Sequence, residues 1–150
     1  MSEHRATTRW ARGDRPFTYD AYSRTHRWSF GGGAELDGSA APEYLGDAKL
    51  PNPEEALVMA LSSCHMLSFL AIAARKRLTV ESYEDAAVGH MEKNAEGRLA
   101  ITRAELHPRV VFSGANQPTK QELAKLHEQA HHVCFIANSV RTEVTVVPVD

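Results

Sequence analysis

Cysteine is scarce in this chain of 150 residues, which has two, Cys64 and Cys134. Neither sign of charge is in marked excess. The net charge of -2 leaves no basic field to hold a nucleic-acid backbone, so nucleic acid is not expected as a partner. The N-terminal MSEHRATTRWARGDR has no apolar core of the kind a secretory signal needs, which predicts a cytoplasmic, reducing location. There, two cysteines are expected to be thiols with a task rather than a structural staple. The bland alternative is an idle core thiol, the commoner fate of a buried cysteine. A phosphate-binding glycine loop is missing too, because Gly31-Gly32-Gly33 lacks the fingerprint spacing and reads as a turn. Internal repeats and low-complexity segments are absent.

What is present is an ordinary globular composition, 43% hydrophobic and 24% charged, at a length suited to one domain spanning 1–150. Its most distinctive stretch is residues 52–75, NPEEALVMALSSCHMLSFLAIAAR. Asn52 suits an N-cap, Pro53 the first helical position, and Glu55 completes a capping box. Arg75, Lys76 and Arg77 complement the helix dipole at the other end. Between Glu55 and Arg75 there is no Asp, Glu, Lys or Arg, a run about long enough to cross a bilayer. Ser62, Ser63, Cys64 and His65 at its centre, and the lack of a second such run, favour a buried core helix instead, with no membrane partner. Glu54 is left over from the capping box. It either complements the dipole or turns inward as a free acid.

Around this helix the pattern alternates. Residues 4–10 read as a short edge strand, and residues 17–30 as a strand pair or one long strand. In its second half Tyr22, Arg24, His26, Trp28 and Phe30 share one face. Three aromatics mark that face as inward, where an arginine needs an anion or a function unless its head reaches water at the rim. Residues 34–50 read as a long loop of small residues and prolines, a length typical of the wall or lid of a site. Strands at 80–91 and 98–112 flank Asn94-Ala95-Glu96-Gly97, a hairpin signal. Pro108 implies an edge or a bulge. Thr119 can cap a helix from Lys120 to about His132, a short helix follows near 134–140, and residues 143–149 close the chain as a strand. Strands, a long helix, a hairpin, helices and a strand make an α+β order.

Two constellations can carry chemistry. Cys134 sits where a late helix begins or bends, and with Cys64 it would form a dithiol if the two meet. A thiol becomes nucleophilic as thiolate, which a nearby cation favours. Arg24 is a candidate for that cation and Glu54 for the carboxylate that holds it in a bidentate pair. The rival is His127-Glu128-Gln129-Ala130-His131, the H-E-x-x-H pattern of zinc hydrolases, on a helix where i and i+4 share a face. A catalytic zinc needs a third ligand; downstream only Glu143 is left as a carboxylate before Asp150, and His132 and Cys134 point elsewhere on the helix, so two surface histidines are the simpler reading.

NPEEALVMALSSCHMLSFLA, with YSRTHRWSF before it and HHVCFIANSVRTEV after it, resembles the OsmC/Ohr family of osmotically inducible and organic hydroperoxide resistance proteins. The likeness runs from about residue 21 to 147. It implies an α+β, OsmC-like fold of antiparallel sheets around a long buried central helix, assembled as an intertwined homodimer. It also implies a thiol peroxidase that acts on organic hydroperoxides, with hydrogen peroxide as the alternative substrate, using a thiol or dithiol reductant and no cofactor or metal. Cys64 matches the family's peroxidatic cysteine, Cys134 its resolving cysteine, and Glu54 the acid that pairs with the activating arginine. Arg24 is assigned to that arginine, with Arg15 and Arg27 as alternatives. Trp28, Phe30 and Tyr44 are expected as apolar walls. Phe135 stands where many members have proline, and His26 and His65 add imidazoles near the site. The alternatives are a non-catalytic redox-sensing or binding member of the fold, or the zinc hydrolase.

Overall fold

A computed structural model describes residues 1–149. The chain divides into two compact units, Met1–Ala56 and Leu57–Asp150. The first holds a three-stranded antiparallel sheet of β1 (Ala6–Arg9), β2 (His26–Phe30) and β3 (Glu35–Gly38) in that order. A 3-10 turn at Pro42–Tyr44 follows.

Two expectations are corrected here. Residues 17–25 are not a strand. Trp10, Phe17 and Tyr22 pack ring on ring, and the Ala21 and Tyr22 amides both turn back to the Thr18 carbonyl. Side-chain clustering thus overrides the alternation, and Arg24 lies in the approach to β2 rather than on a strand. The segment 34–50 is not all loop, since β3 lies within it. Its outward charges, Glu35 and Asp37, obscured it; both pair with Arg27 of β2, Arg27 Nε lying 2.7 Å from Asp37 Oδ1.

The helix α1 (Pro53–Arg75) begins as its sequence signals require. The Glu55 amide donates to Asn52 Oδ1 at 2.8 Å, and the Asn52 amide donates to Glu55 Oε2 at 3.0 Å. It ends in a Schellman motif, with Leu78 N–H on Ala73 O and Arg77 N–H on Ala74 O, both at 3.0 Å. That motif needs a left-handed residue, and Arg77 occupies it at φ 58°. Because a side chain there costs about 1 kcal/mol that glycine does not, Arg77→Gly is expected to raise the midpoint of thermal unfolding.

In the second unit β4 (Thr79–Asp85) pairs antiparallel with β7 (Pro108–Ser113). A second sheet has the order β5 (Val88–Lys93), β6 (Leu99–Leu106), β8 (Glu143–Val146), with β6 and β8 parallel. The β5–β6 turn is the expected hairpin: the Asn94 side chain accepts from the Glu96 and Arg98 amides, and Gly97 takes φ 75°. Pro108 stands at the head of β7, where its missing N–H does least harm. The helix α2 (Lys120–Val133) starts at a capping box of Thr119 and Glu122. The core is Phe69 and Ala73 of α1 against Leu126 and Ala130 of α2, with Leu78, Val80, Tyr83, Val110 and Phe112 packed on it. A 3-10 turn at Ala137–Ser139 stands in place of the short helix expected near 134–140.

The central helix is not buried all round. Leu61, Ser62, His65, Phe69 and Ala73 form its buried stripe, a spacing of mostly four that one face of a helix produces. On other faces Met59 is 68% and Leu67 61% exposed. The apolar composition that suggested complete burial therefore leaves an uncovered apolar face.

Candidate active site

Cys64 lies near the middle of α1 and Cys134 at the C-cap of α2. The packing of these two helices brings the thiols near each other as free cysteines, each within reach of one of two consecutive amides. Cys64 is partly open, whereas Cys134 is 1% exposed. Burial pushes the Cys134 thiol up to about 11, reinforced by the neighbouring Cys64, against a smaller opposing pull from the Ala137 and Ile136 amides. Two backbone donors reach the sulfurs: Ile136 N–H to Cys64 Sγ and Ala137 N–H to Cys134 Sγ, each at 3.5 Å. Cys64 opens onto a mostly apolar groove of about 990 Å³ running along α1 past Leu67, Ala71 and Ile72 to Arg75, with Val133, Phe135 and Ile136 opposite.

Arg24 and Glu54 belong to a different place, a pocket of about 600 Å³ in the first unit walled by Trp10, Phe17, Tyr22, His26 and Tyr44. Neither Arg15 nor Arg27 lines it, so of the three candidate arginines Arg24 is the one that shares a pocket with Glu54. The expected bidentate pair is not formed. The Arg24 guanidinium donates to the Tyr22 carbonyl at 2.7 Å and to the Tyr19 carbonyl, and its carbon sits 3.7 Å from the centre of the Tyr22 ring. Glu54 Oε2 is buried with no hydrogen-bond partner among the described residues. Of the expected walls Tyr44 is present, while Trp28 and Phe30 do not line the pocket. His26 is drawn in by its hydrogen bond to the Arg24 carbonyl at 2.7 Å.

His65 and His127 make up a third arrangement. His65 is next to Cys64 in sequence but faces the α1–α2 interface, where its Nε2 lies 3.0 Å from His127 Nδ1 and the rings stack. They are 1% and 3% exposed, so His127 is not the surface histidine expected. Desolvation lowers both to about 4. His131 Nδ1 and the Tyr83 hydroxyl are further buried groups without a hydrogen-bond partner among the described residues, and the same burial raises the Tyr83 phenol. Glu128, the would-be base of a zinc hydrolase, lines the thiol groove instead. Among the described residues no three His, Cys, Asp or Glu side chains are placed to hold a metal ion, which removes the geometric support for that reading. The available signal for burial was the spacing of Leu123, Leu126, His127 and Ala130, which puts His127 on the apolar face of α2.

Residues 46–148 match the family of OsmC-like proteins. An OsmC-like protein of unknown function from Vibrio cholerae is 51% identical, with a TM-score of 0.96 over 99% of this chain and 100% of that one. An organic hydroperoxide resistance protein from Elizabethkingia anophelis is similar in fold at 18% identity, with a TM-score of 0.75 over 100% of this chain and 97% of that one. Another, described as OsmC, from Legionella pneumophila is 19% identical, with a TM-score of 0.69 over 99% and 96%. No curated protein matches the chain.

Proposed function

Because this chain belongs to the OsmC-like family, we propose that it is a cytoplasmic, cysteine-based peroxidase that reduces organic hydroperoxides. The observation that supports this most is the meeting of Cys64 and Cys134 from positions 70 residues apart (134 less 64), with the more open thiol facing an apolar groove. Burial and the adjacent Cys64 keep Cys134 protonated, so Cys64 takes the attacking role. Its thiolate attacks the terminal oxygen of the O–O bond, becoming a sulfenic acid as the alkoxide departs and takes a proton from solvent to leave as the alcohol. Cys134 condenses with the sulfenic acid, releasing water and forming a disulfide that an external thiol or dithiol reduces.

In this reading Arg24 stabilises the thiolate and the charge developing on the leaving oxygen, and Glu54, which shares its pocket but does not pair with it in this structure, is the carboxylate that would orient it during the reaction. The working form is a homodimer in which a second copy covers the exposed apolar face of α1 that carries Met59 and Leu67. Sedimentation of the reduced protein should give twice the mass of one chain, and a monomer at micromolar concentration would refute the assembly.

The test of function is consumption of cumene hydroperoxide with dithiothreitol as reductant, followed by peptide mapping of the oxidised protein. Multiple turnovers with a Cys64–Cys134 disulfide are expected. A disulfide that forms once without turnover would indicate a redox sensor instead, and no reaction at all would refute both.

A further inference from the structure

The turn that follows α2 holds more hydrogen bonds than its length requires. The Cys134 amide still reaches the His131 carbonyl at 3.2 Å, the Asn138 amide returns to the Cys134 carbonyl at 3.0 Å, and the Ser139 amide to the Ile136 carbonyl at 2.9 Å. Two side chains tie it further. Asn138 Nδ2 donates to the His132 carbonyl at 3.0 Å, and Ser139 Oγ donates to the Phe135 carbonyl at 2.7 Å. His132 O is one of the carbonyls that a helix end leaves without an intrahelical partner, so the Asn138 carboxamide fastens the turn to the end of α2. The result is that consecutive amides, Ile136 and Ala137, face the thiol pair, Ile136 N–H reaching Cys64 Sγ and Ala137 N–H reaching Cys134 Sγ.

Successive backbone N–H groups converging on one side of a turn form an anion-binding concavity. A thiol is a weak acceptor and a thiolate a strong one, so such donors favour the charged form. We propose that residues 134–139 are a two-amide cradle for the reacting thiols and that Asn138 is the residue that positions it. The Asn138 side chain bonds the His132 carbonyl and neither sulfur, and it lies outside the groove lining; it acts through the main chain. Ile136 N–H holds the Cys64 thiolate before attack. Ala137 N–H steadies Cys134 as it loses its proton and its sulfur bonds to the sulfenic sulfur; the displaced hydroxide and that proton leave as water. This inference rests on the assignment of Cys64 as the reactive thiol, and it extends the site to a turn whose side chains stand outside it.

The experiment uses the reduced full-length protein and no hydroperoxide. The rate at which iodoacetamide alkylates Cys64 at pH 7 is read from the mass of its peptide, for wild type and Asn138→Ala. Losing the positioned donor reduces the thiolate fraction while making the remaining thiolate somewhat more nucleophilic, and the balance is about a threefold fall in rate. In parallel, the Ile136 amide proton resonance should move to lower field as the wild-type thiol pair ionises, with a smaller movement in Asn138→Ala, which a purely structural role of Asn138 would not produce. Alkylation at the wild-type rate in the variant, or an Ile136 amide that does not respond to thiol ionisation in wild type, would overturn the cradle. A protein that passes both readouts yet fails to reduce cumene hydroperoxide would leave the cradle standing and refute the peroxidase.

Discussion

Cys64→Ser is expected to lower the rate of hydroperoxide consumption by about a thousandfold or more, to the background of the reductant alone, because removing the atom that attacks removes the covalent step itself. Cys134→Ser should behave differently. Its first turnover proceeds to a sulfenic acid, which a dimedone-type probe traps on Cys64, and continued turnover then depends on the reductant reaching that sulfur directly. The contrast follows from the site: Cys64 opens onto the groove, while Cys134 is enclosed and held as a thiol. Arg24→Lys should retain the charge but lose the planar fork, costing about tenfold to a hundredfold in kcat/KM. Stopped-flow measurement with one hydroperoxide across the three variants orders these effects. Activity that survived Cys64→Ser would sink the mechanism, and an Arg24→Lys variant with wild-type kinetics would show that Arg24 has no part in it.

Acidification from about pH 6.5 to about pH 4 is expected to remove on the order of 3 kcal/mol of folding stability through the His65–His127 pair. Desolvation holds each ring's folded value at about 4, below the ordinary 6.5 of the unfolded chain. Above pH 6.5 both states are neutral and the pair imposes no pH dependence. As the pH falls toward 4 the unfolded chain binds protons that the folded chain refuses, so stability declines through that window and the pair's contribution levels off below it. Protonating one ring opposes protonating its neighbour, which makes the effect of two rings less than twice that of one. Around them His131 pushes His65 further down, Asp85 pulls it up, and the Tyr83 phenol stays neutral. Asp85 is itself held by the Ser62 hydroxyl and by the His107 amide at 2.6 Å. Urea unfolding of wild type and a His65→Leu/His127→Phe variant at pH 7 and pH 4.5 checks this. The variant should lose less stability between the two pH values, and equal losses would exclude the pair as the source.

Much of the fold was legible from local chemistry. Asn52, Pro53 and Glu55 marked the start of α1, Thr119 and Glu122 the start of α2, and Asn94 with Gly97 the β5–β6 hairpin, because caps and tight turns depend on residues within a few positions of each other. The reading failed where distant residues decided the conformation. Residues 17–25 alternate like a strand, yet the Trp10, Phe17 and Tyr22 rings draw them into a turn. Residues 35–38 read as loop, yet they form β3 because Arg27 neutralises their charges from the neighbouring strand.

The site divides in the same way. The sequence by itself determined that Cys64 is a single thiol on a long apolar helix, that Cys134 sits where a late helix begins or bends, and that Glu54 is an acid the capping box leaves free. It also carried the family likeness, since that lies in the order and spacing of residues. The tertiary structure alone decided that the two thiols meet, that Ile136 and Ala137 turn their amides on them, and that His65 and His127 are buried against each other. It also showed Arg24 beside Tyr22 rather than paired with Glu54, and α1 covered on one stripe rather than all round. The physical reason is range. Capping, turn chemistry and periodicity act over a few residues, whereas burial, desolvation and the approach of one sulfur to another depend on which surfaces the folded chain brings together.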